Sequence, residues 1–118
     1  MRDCLFCTIA HKEKPATLRY EDDQVVAFDD IAPKATVHIL VVPKRHIAST
    51  AEMTDADEPL IGHMVNSAKH LAESLGIADD GYRLILNTRA HGGQVIDHIH
   101  LHLLGGQPLG PMVQSQVQ

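Results

Sequence analysis

The chain has 118 residues, enough for one domain built on a single hydrophobic core. Ten Lys and Arg against fifteen Asp and Glu give a formal charge of −5, with no basic stripe, so a nucleic acid polymer is excluded as a partner. Two Phe, two Tyr and no Trp supply no aromatic platform for single strands, and no apolar run is long enough to span a membrane. A small phosphate ligand stays open, because backbone N–H groups bind anions without net positive charge.

The N-terminal segment Met1–Cys7 has no long apolar run and does not read as a signal peptide, which implies a cytoplasmic, reducing setting and disfavours a disulfide. Cys4-x-x-Cys7 then reads as half a metal site, a redox pair or coincidence; the strand–helix context of a redox fold is missing. Leu5, Phe6, Ile9 and Ala10 recur at helical spacing, so a short helix is expected within residues 4–13, stopped by Pro15. Leu18–Glu21 and Val25–Asp29 flank the polar turn Asp22-Asp23-Gln24 and predict a hairpin. Asp30–Ala35 is a loop, in which Asp30 offers two acceptors of the kind a ribose diol requires. Val37–Pro43 has the strongest β propensity in the chain and suits a central strand; His38 interrupts it near its start. Lys44-Arg45-His46 leaves the sheet.

One long helical region follows, Thr54–Leu75. Leu60, Met64, Ser67, Leu71 and Leu75 form one face, Thr54-x-x-Asp57 resembles a capping box, the main helix is expected to start near Asp57 with Pro59 in its first turn, and Gly76 sits where a left-handed terminator is expected. His63 and His70 on this helix read as solvated or packing residues. Tyr82–Asn87 predicts another strand, ending on the Asn87 amide, which could hold a phosphate oxygen. Thr88–Ile96 is a loop containing His91-Gly92-Gly93-Gln94. From about residue 110 the tail is expected to fray. No linker or repeat divides the chain, so residues 1–118 form a single α+β domain: a mostly antiparallel sheet of about five strands, one long helix and a short N-terminal helix.

The stretch His98-Ile99-His100-Leu101-His102-Leu103-Leu104 carries the chemistry. On a strand, side chains alternate faces, so His98, His100 and His102 share one face while Ile99, Leu101 and Leu103 point into a core. A helix would scatter the three imidazoles. A strand that merely happens to carry histidines would need a hydrogen-bond partner for each buried ring. Two chemistries call for such a row: a metal site, or nucleophilic and acid–base catalysis by imidazole. Gly92-Gly93-Gln94 lies just ahead, where backbone N–H groups can approach a phosphate beside the imidazoles, which favours catalysis.

These residues resemble the histidine triad (HIT) superfamily. The resemblance is carried by His98-x-His100-x-His102, Gly-Gly-Gln before it, Tyr82–Asn87, Glu21-Asp22-Asp23, Ala27–Ile31 and Val42-Pro43-Lys44-x-His46. It spans about residues 4–109. It looks closest to the Hint branch, the purine nucleoside phosphoramidases, and Leu103–Met112 is similar to bacterial members. The resemblance implies hydrolysis of an adenosine phosphoramidate to AMP and an amine through a covalent nucleotidyl-histidine. His100 would be the nucleophile, its other ring nitrogen held by a backbone carbonyl. His102 would bond the phosphate oxygens or leaving group, and His38 and His98 would support the array. Asn87, Gly93, Gln94 and the N–H of Val95 would cradle the phosphate, Asp30 would take the ribose hydroxyls, and Phe28 and Ile31 would lie against the base. Many members have a hydroxyl residue where this chain has Val95, so one side-chain donor is missing. The resemblance leaves room for a dinucleoside polyphosphate hydrolase or nucleotidyl transferase, or for a purine-nucleotide-binding regulatory module. It also implies a homodimer and a structural Zn2+ on Cys4, Cys7, His46 and His98, with no cofactor needed for catalysis.

Overall fold

Nearly continuous apolar residues can be buried on both faces of a strand only in the middle of a sheet, and that is where the chain puts them. In the computed structural model, which describes residues 4–113, β2 (Val25–Asp29) and β3 (Val37–Pro43) are central strands. Around them lie β1 (Leu18–Glu21), β4 (Tyr82–Leu86) and β5 (Leu101–Gly105), giving a five-stranded sheet of order β1-β2-β3-β5-β4. Every pairing is antiparallel, so the α+β expectation holds with no parallel strand among the described residues. No described helix is long and apolar enough to cross a membrane.

The two faces are covered unequally. On one, the long helix α2 (Glu58–Ser74) lays Leu60, Met64, Ala68 and Leu71 against Val25, Ile39, Val41, Leu101 and Leu103. Met64 is fully enclosed, and Met64→Ala should cost about 2–5 kcal/mol. On the other face, α1 (Leu5–Ala10) packs Phe6, Ile9 and Ala10 onto Val26, Phe28, Leu40 and Val42. This helix is only 6 residues long, so much of that face stays open.

Within the helical region Thr54–Leu75 the main helix starts at Glu58, next to the expected Asp57, and two 3₁₀ turns, Thr50–Glu52 and Asp55–Asp57, precede it. The Thr54 N–H donates to Asp57 Oδ2 (2.8 Å), Pro59 occupies the first turn, and Gly76 takes φ +75° at the end. The histidine strand also starts later than expected, at Leu101 and not His98. The cause lies in the backbone bonds of the preceding residues. The His98 N–H donates to Ile96 O (2.9 Å) and the Ile99 N–H to Ile47 O (2.7 Å), on the connection past β3 and outside the ladder. Alternation survives nonetheless: Ile99 joins Leu101 and Leu103 in the α2-side core. The tail is tied as far as Gly110, whose carbonyl accepts from Arg83 Nη2 (2.8 Å); the expected fraying of 114–118 lies outside the described residues.

Candidate active site

The open part of the α1 face is a cleft of about 1290 Å³ that runs across the sheet. At one end are the triad strand and the β4–β5 loop; at the other are β2, α1 and residues 14–17. Of the sequence-predicted residues, the cleft gathers Phe28, Asp30, Ile31, His38, Asn87, Gly93, Val95, His100 and His102.

Each histidine has a different proton placement, set by its partners. His100 Nδ1 lies 2.7 Å from the His98 carbonyl oxygen. A carbonyl only accepts, so the ring proton is on Nδ1, and Nε2 carries a free lone pair toward the cleft. Burial holds His100 below the ordinary histidine pKa, which keeps that lone pair available at neutral pH. His38 Nδ1 accepts from the Lys34 backbone N–H (3.0 Å), so its proton is on Nε2. That Nε2–H donates to His102 Nδ1 (2.9 Å), with Asp30 Oδ2 a longer 3.4 Å away. His102 must then carry its own proton on Nε2, and it presents a donor to the cleft. Burial, then the neighbouring His100 and His38, lower the His102 pKa to about 4, so this donor is a neutral imidazole. The result is a free imidazole lone pair at His100 with a fixed N–H donor beside it.

The phosphate end is formed by the loop between β4 and β5. Gly93 adopts φ +82°, where an L side chain is strained; a Cβ would meet only Asn87 Nδ2 at 3.7 Å, so the need is conformational. Asn87 Nδ2 donates to Gly92 O (2.6 Å) and braces the loop. Among the described residues the Val95 N–H has no protein partner, which leaves it free for an anion. The Val95 side chain is 90% exposed at the rim. Gln94 does not line the cleft. Its side chain donates to Ala48 O (2.6 Å) and Ile96 O (2.9 Å) and accepts from the Arg89 N–H (2.8 Å), so it holds the loop from behind.

At the other end, Asp30 Oδ1 caps its own loop through the Ala32 N–H (2.8 Å) and the carboxylate remains partly exposed, with lone pairs left for a diol. Phe28 is buried behind the wall and Ile31 stands 98% exposed at its edge. Sequence reading missed Phe6. Its ring meets Phe28 (centroids 5.6 Å) and His100 (4.9 Å), joining the apolar wall to the triad. Only its place on the short helix hinted at this.

His98 turns out of the cleft. Its Nε2–H donates to Pro43 O (2.8 Å), which frees Nδ1 to face Cys4 Sγ (3.2 Å) and His46 Nδ1 (3.2 Å). Cys7 Sγ lies 3.3 Å from His46 Nδ1, and all four ligand atoms fall within 4.8 Å of one another. A tetrahedral zinc with Zn–N bonds of about 2.0–2.1 Å has N···N edges of about 3.3 Å, so the donor set fits that ion. The Pro43 carbonyl supplies the outer hydrogen bond that orients a ligating imidazole. Burial, and then the Cys4 sulfur, push the Cys7 thiol up to about 11; a dication would reverse that by taking the thiolate. A second group, Asp30, His38 and His102, is equally close. It does not fit a metal, because the Lys34 amide forces the His38 proton onto the inward nitrogen.

Taken together, a free imidazole lone pair, an adjacent N–H donor, a glycine-built anion cradle and an apolar wall define a nucleotide-cleft protein of the α+β class. Residues 3–117 match the family described as "Scavenger mRNA decapping enzyme C-term binding". The chain is 48% identical over 111 residues to the purine nucleoside phosphoramidase of Escherichia coli K12, covering 94% of this chain and 93% of that one. The fold superposes on a HIT family hydrolase from Legionella pneumophila (TM-score 0.90, 46% identity, 92% and 96% of the two chains). It also superposes on a histidine triad protein from Clostridium difficile (TM-score 0.92, 40% identity, 94% and 96%). The chain belongs to the histidine triad superfamily.

Proposed function

We propose that the chain is a purine nucleoside phosphoramidase, a hydrolase that converts adenosine 5′-phosphoramidate to AMP and an amine. The His100 Nδ1–H bond to the His98 carbonyl (2.7 Å) carries this reading, because it leaves Nε2 nucleophilic without a separate base. His100 Nε2 attacks phosphorus, the P–N bond breaks, and the nitrogen leaves as the amine after gaining a proton at the cleft. The His102 Nε2–H stabilises charge on the phosphoryl oxygens or the departing nitrogen. Water then displaces His100 and AMP is released. The Val95 N–H holds the phosphate where Gly93 turns the loop beside it, with Asn87 and Gln94 bracing that loop; Asp30 takes the ribose hydroxyls, and Phe28 and Ile31 take the base. The curated relative's name and its near full-length match support the substrate class.

In this reading Cys4, Cys7, His46 and His98 hold a structural Zn2+. It closes all four positions, ties α1 to the sheet and contributes no catalytic step. The free thiols go with a reducing, cytoplasmic compartment. A homodimer formed through the outer edge of β4 goes with the position of that strand at the end of the sheet and with Val65 exposed on α2.

The test is a mass spectrum of protein quenched during turnover of adenosine phosphoramidate. A nucleotidyl adduct on His100 is expected, and turnover with the adduct elsewhere or nowhere would sink the assignment. Diadenosine polyphosphate offered in parallel should turn over more slowly.

A further inference from the structure

The loop that presents the phosphate cradle begins on a residue in a conformation its side chain opposes. Arg89 has φ +58° and ψ −172°, a region populated almost only by glycine. Other than Lys12, it is the single described non-glycine residue with positive φ. A surface arginine has no need of such a backbone, so something must hold it.

The holding contacts converge from one side. The Arg89 guanidinium pairs with Glu52, which also accepts from Ser49 Oγ. The Arg89 N–H donates to Gln94 Oε1 (2.8 Å), and its carbonyl accepts from the N–H groups of Gly92 (3.1 Å) and Gln94 (3.1 Å). The Gln94 amide in turn grips Ala48 O (2.6 Å), and Thr88 Oγ1 meets Thr50 Oγ1 (2.6 Å). The β4–β5 loop is thus laced to residues 48–52 at three places. Arg89 is the only one of these contacts at which backbone strain and the clamp coincide. The residues immediately downstream are Gly93 and the unpartnered Val95 amide.

We propose that Arg89 is a positioning residue for the phosphate: its clamp to Glu52 holds a glycine-like backbone turn that aims the Val95 N–H into the cleft, while the N–H groups of Gly93 and Gln94 close the loop on Ala90 O and Arg89 O. Arg89 touches no substrate. This rests on the nucleotide reading above. Three substitutions separate clamp from strain. Arg89→Ala removes the clamp and keeps the strain. Glu52→Gln weakens the clamp and keeps the strain. Arg89→Gly removes both, because glycine adopts this backbone freely.

The experiment titrates AMP and adenosine into wild type and the three variants, and measures amide hydrogen exchange at Gly92 and Gln94 without ligand. Arg89→Ala should weaken AMP binding about tenfold while adenosine, which lacks the phosphate, changes by less than about twofold. Glu52→Gln should fall between, and Arg89→Gly should bind AMP within about twofold of wild type. Exchange at both amides should speed up in Arg89→Ala and return to wild-type rates in Arg89→Gly. Arg89→Gly as impaired as Arg89→Ala would overturn the proposal, as would an Arg89→Ala protein indistinguishable from wild type. Equal loss of AMP and adenosine would overturn it too, since the effect would not be at the phosphate. A wild type that binds no AMP would overturn the nucleotide reading instead; the exchange rates alone would then sustain or overturn the role of Arg89.

Discussion

The Cys4–Cys7–His46–His98 cluster and the Asp30–His38–His102 cluster are alike in compactness, with ligand atoms within 4.8 Å in each, and both contain two imidazoles. They differ in which nitrogen of the key imidazole is free. At His98 a carbonyl, that of Pro43, takes the outer proton and turns a lone pair inward. At His38 an amide, that of Lys34, takes the outer lone pair and turns a proton inward. A lone pair facing two thiols invites a cation; a proton facing a second imidazole passes a hydrogen bond along. One backbone group of opposite polarity therefore separates a cluster that fits a cation from one that passes a hydrogen bond along, and the triad segment His98–His102 contributes to both.

The sharpest way to break this comparison is at His100, which sits between the clusters and owes its free lone pair to the backbone carbonyl of His98 and to no side chain of either cluster. His100→Ala should lower kcat for adenosine phosphoramidate by a factor on the order of 10⁴ while the far-UV spectrum stays unchanged. Turnover near wild type would move the nucleophile to another residue.

The metal-type cluster should control stability and leave chemistry alone. Elemental analysis should find about one zinc per chain. Its removal by a strong chelator, or Cys4→Ser, should lower Tm by about 10 °C or more. The protein that remains folded should keep kcat within about threefold, because a closed four-ligand site offers no open position. Loss of activity in step with zinc, without loss of fold, would make the metal catalytic.

The relay cluster should do the reverse. His38→Ala removes the donor to His102 Nδ1 and lets the His102 proton settle on either nitrogen. A decrease in kcat of about 10- to 100-fold is expected, with zinc content unchanged. If His38→Ala instead released zinc, the two clusters would be one unit.

Much of this was legible in advance, because period-two alternation survives tertiary detail. Ile99, Leu101 and Leu103 do face the α2 core, and the triad histidines face the other way. The resemblance placed Cys4, Cys7, His46 and His98 together, and the structure brings all four within reach. What could not be read depends on backbone groups that carry no sequence signal: the Lys34 amide, the Pro43 carbonyl and the Ile47 carbonyl that draws Ile99 out of the ladder. Side chains working at long separation were hidden for the same reason. His63 was expected to be solvated or packing, yet its Nε2 lies 2.6 Å from Asp22 Oδ2 in the β1–β2 turn, while His70 is indeed exposed. The positive φ of Arg89 was invisible, since nothing in an arginine announces a glycine-like turn.

The pH dependence tests the relay with both signs. The His102 pKa is held near 4 in the fold, against about 6.5 in an unfolded chain. A lowered folded value means the native state binds fewer protons than the unfolded one in that window, so ∂ΔG/∂pH is positive there. Stability contributed at this site is complete above about pH 6.5 and is lost as pH falls toward 4; Tm should drop by several degrees between pH 7 and pH 5. The rate should behave differently. With His100 and His38 also held below the ordinary histidine value by burial, the neutral imidazole persists further into acid, and the fall in kcat/KM should come at a lower pH than for an exposed imidazole. A rate that halves near pH 6.5 would mean these rings titrate as if exposed.

The smallest expected effect concerns Val95, where the cradle supplies a backbone donor and no side-chain donor. Its N–H is free and its side chain is 90% exposed, so Val95→Ser should leave fold stability within about 0.5 kcal/mol. The added hydroxyl stands next to the position of the phosphate and the departing nitrogen. A hydrogen bond to a charged acceptor contributes about 1.5–3 kcal/mol when enclosed and less at an open rim, so a gain of about threefold in kcat is expected. AMP affinity should barely change, because the amide that holds the ground-state phosphate is present in both proteins. A gain in AMP binding without a gain in kcat would show the hydroxyl acting on the bound phosphate alone. A fall in kcat would show instead that the leaving group packs against the valine methyls, and the rim would then be a contact for apolar amines.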